Sequence, residues 1–271
     1  MGAKLYTPGM PELPEVETVC RGLSEKLIGK TIRDIQILSP VILDTPPKKF
    51  VQRTTGQQIK AVQRHGKRIF LNLSNQILTI HLRMTGQLIF SRDDTAPGKH
   101  THLIFNFADM KEALFYRDIR KFGRIGLVER IPETPPDAWL GRNEELIQAL
   151  LAKRGMIKHT LLSQNVIAGL GNIYVDECLY KAKIHPRKLI QKLKKEKIQT
   201  LCASIRAILS KAIQAGGTTF SNYVDTRGKR GGFKGFLCVY GKEGSFCSCG
   251  AKIKRIVVAS RGTHYCPRCQ R

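Results

Sequence analysis

The chain has 271 residues, of which 42% are hydrophobic, so it is long enough and apolar enough to bury one large core or two ordinary ones. Forty-six Lys and Arg against 21 Asp and Glu give a formal net charge of +25, far more than solubility requires. This excess predicts a polyanionic partner, above all nucleic acid, whereas a merely solvated basic surface is the plainer alternative. No stretch reaches the roughly 18 apolar residues of a membrane span, and the N-terminus lacks a signal-peptide core, so we expect an intracellular protein with no membrane partner.

The first half of the chain predicts one helix followed by a β-rich domain. Residues 12–28 place apolar side chains at helical spacing behind an acidic first turn, which is typical of an amphipathic helix. From residue 31 to residue 130, short runs separated by Gly, Pro, Asn or Asp predict roughly eight strands in a two-sheet sandwich. The proline-rich segment IPETPPDAW ends this pattern, and we place the domain boundary near residues 131–140.

The second half predicts helices, a loop and a terminal hairpin. The helical segments are ELIQALLAKR, MIKHTLLS, NIYVDECLYKA and KEKIQTLCASIRAILSKAIQ. The basic, glycine-rich stretch DTRGKRGGFKGF has too little hydrophobic pattern for a core element and predicts a mobile loop. Beyond it, KIKRIVVAS and THYC predict a small β-hairpin.

The last 25 residues contain a cysteine cluster, Cys247-x-Cys249 and Cys266-x-x-Cys269, around the predicted hairpin. Four thiolates in this arrangement suit one tetrahedral Zn²⁺, and a closed four-cysteine site has no open position for substrate, so the metal would be structural. An accidental cluster of free thiols is the alternative. The single residue between Cys247 and Cys249 is tighter than the usual two, which predicts a distorted turn or a weaker site.

The segment Met10-Pro11-Glu12 permits covalent chemistry. Proline and glutamate are also common at a helix start, which is the simpler explanation of the composition. If translation begins at Met10 and the methionine is removed, Pro11 becomes a free secondary amine, and an α-amino group with a pKa near ~8 is partly uncharged at neutral pH. Such an amine can attack a sugar carbon and form an iminium, with Glu12 beside it as proton donor.

Several segments, in order along the chain, resemble the formamidopyrimidine-DNA glycosylase family: MPELPEVETV, VQRHGKRIFLNL, IRKFGR, GLGNIYVDE, AGGTTF, VYGKEG and RGTHYCPRCQ. The resemblance extends from Met10 to Arg271, and its opening and closing motifs are highly specific in combination. It implies an α+β, multidomain fold: an N-terminal β-sandwich with a leading helix, a helical helix-two-turn-helix domain and a C-terminal four-cysteine zinc finger, with DNA in the cleft between the domains.

The same resemblance implies an activity. The family removes oxidised purines, namely 8-oxoguanine and formamidopyrimidines, from double-stranded DNA in base-excision repair, and then nicks the strand at the abasic site by β,δ-elimination. A monomer with one structural Zn²⁺ is implied.

By this resemblance, four residues carry the catalysis. Pro11 is the Schiff-base nucleophile that displaces the damaged base, and Glu12 protonates the opening sugar. Lys67, at a Gly66-Lys67 turn between two strands, is similar to the family's proton donor in β-elimination. Arg261 matches the arginine that assists δ-elimination and binds phosphates near the lesion. Without the resemblance, Lys67 would be a solvated hairpin lysine and Arg261 a surface arginine.

The resemblance also implies three side chains that fill the gap left by an extruded nucleotide. Met84 and Phe122 match the apolar wedges, and Arg120 matches the planar fork that bonds the orphaned base. Without the resemblance, Met84 and Phe122 would be core positions of a strand and its turn.

Three further residues match DNA contacts of the family. Asn172, at the turn between two helices, matches a phosphate contact, and His100 and Arg154 match donors to phosphate or base edges. The segment 216–220 and the loop after it resemble the part that closes over an extruded 8-oxoguanine. Unaided, His100 would be a plain surface histidine.

These observations give a domain assignment. We expect a catalytic β-sandwich at 10–131, a helix-two-turn-helix DNA-binding domain with the lesion loop at 140–235, and a zinc finger at 236–271. Residues 1–9 form an extension that we expect the active enzyme to lack. With them attached, the nitrogen of Pro11 is a tertiary amide whose lone pair is delocalised, so it cannot act as a nucleophile.

Other functions stay open at this stage. The endonuclease VIII branch of the same superfamily prefers oxidised pyrimidines. A non-catalytic binder of damaged DNA would result if Pro11 stays blocked, and it would bind with strong salt dependence yet form no covalent intermediate. A general zinc-ribbon module leaves Pro11-Glu12 and the β domain unexplained. We expect a cytoplasmic location, associated with the nucleoid.

Overall fold

The computed structural model describes residues 10–92 and 94–271, so the extension at residues 1–9 lies outside the described residues. The helices in the described part are α1 (Leu13–Leu27), α2 (Pro47–Thr54), α3 (Asn143–Leu151), α4 (Ile157–Leu162), α5 (Asn172–Lys181) and α6 (Lys195–Gln214). The strands are β1 (Ile32–Ile37), β2 (Ile59–His65), β3 (Arg68–Leu73), β4 (Ile77–His81), β5 (Gly86–Arg92), β6 (Thr101–Phe107), β7 (Glu112–Asp118), β8 (Arg124–Val128), β9 (Lys254–Val258) and β10 (Arg261–Tyr265). Within these ranges, no helix combines the length and the apolar character needed to cross a membrane.

The helix predicted at residues 12–28 is α1. Its buried apolar residues are Leu13, Val16, Val19, Cys20, Leu23 and Leu27, which recur at the three- and four-residue spacing of one helix face. Pro14 lies in the first turn, where its missing N–H removes no helical hydrogen bond. The Glu15 carboxylate accepts the backbone N–H of Glu12 at 2.8 Å, so the chain directly after Pro11 is fixed by the helix start.

The strands that follow form two antiparallel sheets of four strands, which confirms the predicted sandwich. One sheet has the order β1-β6-β7-β5 and the other β2-β3-β4-β8. A single core contains side chains of both, including Leu103 and Phe105 from the first sheet, Leu71 and Ile80 from the second, and Leu23 of α1. Each sheet therefore directs one apolar face toward the same core. The loops between the strands carry the predicted site residues that follow α1 in this half of the chain.

The helices α3 to α6 and the β9–β10 hairpin confirm the helices and the hairpin predicted in the second half. The predicted loop DTRGKRGGFKGF differs in one respect, because its Phe233 is buried against Tyr174. Helix α5 contacts both α6 and β10, and α3 contacts α6. Glu177 of α5 is buried and accepts the backbone N–H groups of Cys238, Val239 and Tyr240 at 2.8, 2.9 and 2.8 Å. Burial raises the pKa of Glu177, although these donors oppose the shift. The chain that enters the hairpin is thereby tied to α5.

By its contacts the chain divides into two units. One contains the described residues up to Pro132 together with Gly216–Gly232, and the other contains Glu133–Ala215 and Phe233–Arg271. The predicted domain at 140–235 places the segment Gly216–Gly232 with the helices. In the structure this segment bonds to the β unit, because the N–H of Thr218 donates to Glu15 at 2.7 Å and the carbonyl of Thr226 accepts the N–H of Phe90 at 3.0 Å.

Candidate functional site

Pro11 and Glu12 lie at the head of α1, and both are buried. Glu12 is the last residue before the helix and has an extended backbone, with φ −101° and ψ −171°. A carboxylate at this position lies at the positive end of the helix dipole. The predicted nucleophile and its predicted proton donor are therefore held on a rigid element and not on a mobile arm.

Glu15 joins this helix start to the segment after α6. One of its oxygens accepts the N–H of Glu12 at 2.8 Å and the other accepts the N–H of Thr218 at 2.7 Å. Gly217 has φ +81°, and a Cβ there would lie 2.8 Å from the Glu15 Oε1 atom. Only glycine fits this approach, so the AGGTTF segment is docked beside the Pro11-Glu12 start.

Lys67 follows Gly66 in the tight turn between β2 and β3, as the sequence predicts, but it is not a solvated hairpin lysine, since it is only 8% exposed. Arg64 holds this turn: its Nη1 donates to the carbonyl of Gly66 at 3.1 Å and its Nε to Glu17 of α1 at 2.8 Å. The Arg64 side chain is 1% exposed. The turn that presents Lys67 is therefore fixed to the helix that begins directly after Pro11-Glu12.

The structure brings Met84, Arg120 and Phe122 together. The Arg120 Nη1 lies 3.2 Å from the Met84 sulfur, and its guanidinium carbon lies 4.6 Å from the centre of the Phe122 ring. Phe122 is 48% exposed, so it is not the core residue that its type alone would indicate. A flat cation between the half-buried Met84 and the exposed Phe122 ring is suited to a stacked, partly apolar ligand.

Asp118, fully buried at the end of β7, holds the turn that carries Arg120 and Phe122. Its Oδ1 accepts the Thr85 hydroxyl and, at 3.2 Å, the N–H of Arg120. Its Oδ2 accepts the N–H of Gly123 at 2.8 Å. His100 joins the same region through its backbone, because its carbonyl accepts the N–H of Asp118 at 2.9 Å.

In the second unit, Asn172 is the first residue of α5, and its side-chain amide both accepts and donates a hydrogen bond. Its Oδ1 accepts from the Lys158 ammonium at 2.7 Å, and its Nδ2 donates to the carbonyl of Gly262 at 3.0 Å. Arg261, exposed at the start of β10, directly precedes Gly262. The structure thus brings Asn172 and the backbone beside Arg261 together, whereas Arg154 is exposed in the turn between α3 and α4 and takes no part in this cluster.

The cysteine cluster converges as predicted. The sulfurs of Cys247, Cys249, Cys266 and Cys269 all lie within 4.8 Å of one another. Cys247 and Cys269 are 3.9 Å apart, and Cys249 and Cys266 are 3.4 Å apart. Four ligands at a Zn–S distance of about 2.3 Å would be about 3.8 Å from each other. The donor set therefore fits one structural Zn²⁺.

The short Cys247-x-Cys249 spacing is accommodated by a tight turn. Gly250 has φ +82°, and its N–H donates to the Cys247 carbonyl at 2.8 Å. The Tyr180 hydroxyl lies 3.2 Å from the Cys247 sulfur. Burial raises the pKa of this thiol, but the Cys249 N–H and the Tyr180 hydroxyl outweigh burial and lower the pKa to about 6. Cys247 is accordingly disposed to be the thiolate that a metal requires.

Family models match successive parts of the chain: the formamidopyrimidine-DNA glycosylase N-terminal domain at residues 10–125, its H2TH domain at 136–224, and a zinc finger found in FPG and IleRS at 248–271. The formamidopyrimidine-DNA glycosylase of Enterococcus faecalis is 41% identical over 275 residues, covering 96% of this chain and 97% of the relative. The chain belongs to the formamidopyrimidine-DNA glycosylase family. The Geobacillus kaustophilus member is 42% identical and covers 97% of this chain and 100% of the relative.

Solved structures of the formamidopyrimidine-DNA glycosylase family match the fold. A complex of the Lactococcus lactis member with DNA containing an abasic site has a TM-score of 0.88 at 38% identity, and covers 96% of this chain and 100% of that one. A complex of an L. lactis variant with Fapy-dG-containing DNA gives the same values. The family consists of DNA glycosylases with AP lyase activity.

Several residues that fix the segments carrying the expected site residues have no prediction from the sequence. Glu15, Arg64, Asp118 and Lys158 are buried or nearly so, and each bonds a segment that carries an expected site residue. Glu15 had a local signal, since a glutamate three residues after Glu12 forms a capping box. Each of the others also has a partner remote in sequence, which spacing does not indicate: Glu17 for Arg64, Thr85 for Asp118 and Asn172 for Lys158.

Proposed function

We propose that this chain excises oxidised purines, namely 8-oxoguanine and formamidopyrimidines, from double-stranded DNA and then cleaves the strand by β,δ-elimination. The observation that carries the proposal is the position of Pro11. It directly follows Met10, where the family match begins, and it is buried at the head of α1 beside Glu12. The relatives' names and the Fapy-dG in the DNA of an L. lactis complex support the same lesion class, and the abasic-site complex supports the strand-cleavage step.

The chemistry begins with the Pro11 nitrogen. Its lone pair forms a bond to C1′ as the bond from C1′ to the damaged base breaks, and the departing base takes up a proton. The nitrogen then loses its own proton, and its lone pair opens the C1′–O4′ bond while Glu12 protonates O4′. The product is an iminium that joins the sugar to Pro11. This sequence requires a free amine, so the active enzyme lacks residues 1–9.

Strand cleavage follows from the iminium. Loss of a proton from C2′ expels the 3′ phosphate, with Lys67 as the proton donor in this β-elimination. A second elimination, in which the C4′ proton is lost and the electron pair shifts through the new C2′–C3′ double bond system, expels the 5′ phosphate, with Arg261 neutralising the phosphate charge. The Arg64 contact to Gly66 supports the role of Lys67, because it fixes the turn from which Lys67 acts.

Two groups of residues bind the DNA in this proposal: one fills the gap left by the extruded nucleotide, and the other positions the duplex. Met84, Arg120 and Phe122 fill the gap left by the extruded nucleotide. Asn172, Arg154 and His100 bind the backbone or the base edges, and the net charge of +25 supports a polyanionic ligand.

The organisation we propose has three parts: the β-sandwich at 10–131, the helical domain with the lesion loop at 140–235 and the zinc finger at 236–271, with the loop residues Gly216–Gly232 bonded to the β-sandwich. The enzyme would act as a monomer on DNA of the bacterial nucleoid in the cytoplasm. The Zn²⁺ held by the four cysteines has a structural role and contributes no catalytic step.

The test is cleavage of a 5′-labelled duplex with 8-oxoguanine opposite cytosine, using the chain that begins at Pro11. We expect a product ending in a 3′ phosphate, which β,δ-elimination leaves. Glu12→Gln should slow cleavage at 8-oxoguanine far more than cleavage at a preformed abasic site, whose sugar already opens without protonation by the enzyme. Equal slowing at both substrates would contradict the role of Glu12. Faster excision of an oxidised pyrimidine than of 8-oxoguanine would favour the endonuclease VIII branch.

A further inference from the structure

Asp176 of α5 is a buried carboxylate whose two oxygens bind different elements. Its Oδ1 accepts from the Lys158 ammonium of α4 at 2.6 Å, and both side chains are 0% exposed. Its Oδ2 accepts the backbone N–H of His264 in β10 at 2.7 Å, and the His264 Nδ1 lies 3.3 Å away. One carboxylate therefore joins α4, α5 and the β9–β10 hairpin.

The same cluster fixes the side chain of Asn172. The Lys158 ammonium, which has only donors, also donates to the Asn172 Oδ1 at 2.7 Å, so this oxygen must face Lys158 and the NH₂ group must face the hairpin. There the Nδ2 donates to the carbonyl of Gly262 at 3.0 Å. An NH₂ group carries two hydrogens, and this contact uses one of them.

Stability alone does not account for such a pair. Burying two charges costs desolvation, and a well-packed apolar pair of similar volume commonly holds a core as well or better. An apolar pair would, however, neither orient the Asn172 amide nor accept the N–H of His264 in the strand that begins with Arg261. The Asp176 carboxylate accepts the His264 N–H itself and holds the Lys158 ammonium that orients the amide.

We propose that Asp176 is a positioning residue, which holds the Asn172 amide and the Arg261 strand in one fixed register so that both donors meet phosphates of the damaged strand. The proposal rests on the proposed function, because it concerns how that DNA is held. Asp176 touches no reacting atom and acts through Lys158 and through the backbone of β10.

The test compares Asp176→Asn with the starting enzyme, using the full chain from Pro11. One readout is the affinity for a duplex containing a tetrahydrofuran abasic analogue. The other is the ratio of β to β,δ products from 8-oxoguanine DNA at saturating enzyme. We expect affinity to fall roughly tenfold or more, since the amide cannot offer two acceptors and a charge. Products should shift toward β-elimination alone, while the borohydride-trapped yield at saturation stays unchanged.

Two further variants separate positioning from folding. The double variant Lys158→Met with Asp176→Leu leaves no buried charge unpaired, so it should melt at or above the temperature of Asp176→Asn yet show the same shift in products. Leu209→Ala, in the buried face of α6, is a matched destabilised control and should keep the ratio of the starting enzyme.

The proposal is overturned if Asp176→Asn keeps both the affinity and the product ratio of the starting enzyme, or if Leu209→Ala reproduces the shift. The starting enzyme is the internal reference: if it forms no cleaved product at all, the proposed function fails, whereas an active enzyme with an unchanged Asp176→Asn ratio contradicts only the role of Asp176.

Discussion

The turn that carries Arg120 and Phe122 can be perturbed by one substitution, because the carboxylate of Asp118 holds it. In Asp118→Asn the shape is kept, but one oxygen becomes an NH₂ group. That group must face either the Gly123 N–H or the pair formed by the Thr85 hydroxyl and the Arg120 N–H. In the first orientation the Gly123 N–H loses its acceptor. In the second, the Arg120 N–H loses the charged acceptor and keeps only the Thr85 hydroxyl at 3.1 Å, so either orientation removes a hydrogen bond to a buried charge.

The magnitude follows from burial. Asp118 is 0% exposed, so water cannot replace the lost acceptor. A hydrogen bond to a charged group contributes about 1.5–3 kcal/mol, and we expect the free energy of unfolding to fall by about 2 kcal/mol. If the DNA-bound turn carries a further cost of the same size, extrusion is disfavoured by a factor of roughly 30.

Urea unfolding measures the change in stability. The fluorescence of a 2-aminopurine placed next to the lesion reports wedge insertion, meaning the entry of Met84 and Phe122 into the DNA. Asp44→Asn is the matched control, since that carboxylate is 56% exposed and lies 3.5 Å from Arg124 at the surface. It should change stability by less than about 0.5 kcal/mol. Asp118→Asn with control-like stability and normal wedge insertion would refute this account of the turn.

Three further predictions follow from the site. Arg64→Lys should slow strand cleavage about tenfold, because a lysine cannot reach both Glu17 and the Gly66 carbonyl in the geometry of the arginine fork. An unchanged single-turnover rate would count against the role of this contact. Purified protein should contain one zinc per chain by mass spectrometry, and chelation should abolish binding to abasic-site DNA; binding that survives full zinc removal would contradict a structural metal. The logarithm of DNA affinity should fall with the logarithm of salt concentration at a slope of about −3 or steeper, whereas a slope near zero would exclude the proposed phosphate contacts.

Much of the fold is predictable from local pattern. Hydrophobic periodicity and turn residues in the sequence predict the leading helix, the strands of the sandwich, the four later helices and the zinc hairpin. The structure contains all of these elements. Helix α2 is missed because it has eight residues, of which only Phe50 and Thr54 are buried, too few to establish a helical repeat. The position of Gly216–Gly232 is missed because it depends on backbone bonds to Glu15 and Phe90, which are distant in sequence.

The site is predictable to a different degree. The roles of Pro11, Lys67 and Asn172 are predictions that rest on the resemblance. Without it, Lys67 would have been predicted to lie in solvent, whereas the structure buries it. The residues that hold them, such as Arg64 and Asp176, have no sequence signal, because a buried charge is recognised only when its partner is seen. Local sequence pattern therefore predicts the helices and strands, whereas the polar contacts between segments distant in sequence are seen only in the structure.

The most direct test of the central claim is borohydride trapping on a duplex with 8-oxoguanine opposite cytosine, comparing the chain that begins at Pro11 with the chain that retains residues 1–9. A covalent adduct with the first alone is expected, because only a free Pro11 amine can form the iminium that borohydride reduces. No adduct with either chain, despite tight and salt-sensitive binding, would contradict the Pro11 mechanism and indicate a protein that binds damaged DNA without cleaving it.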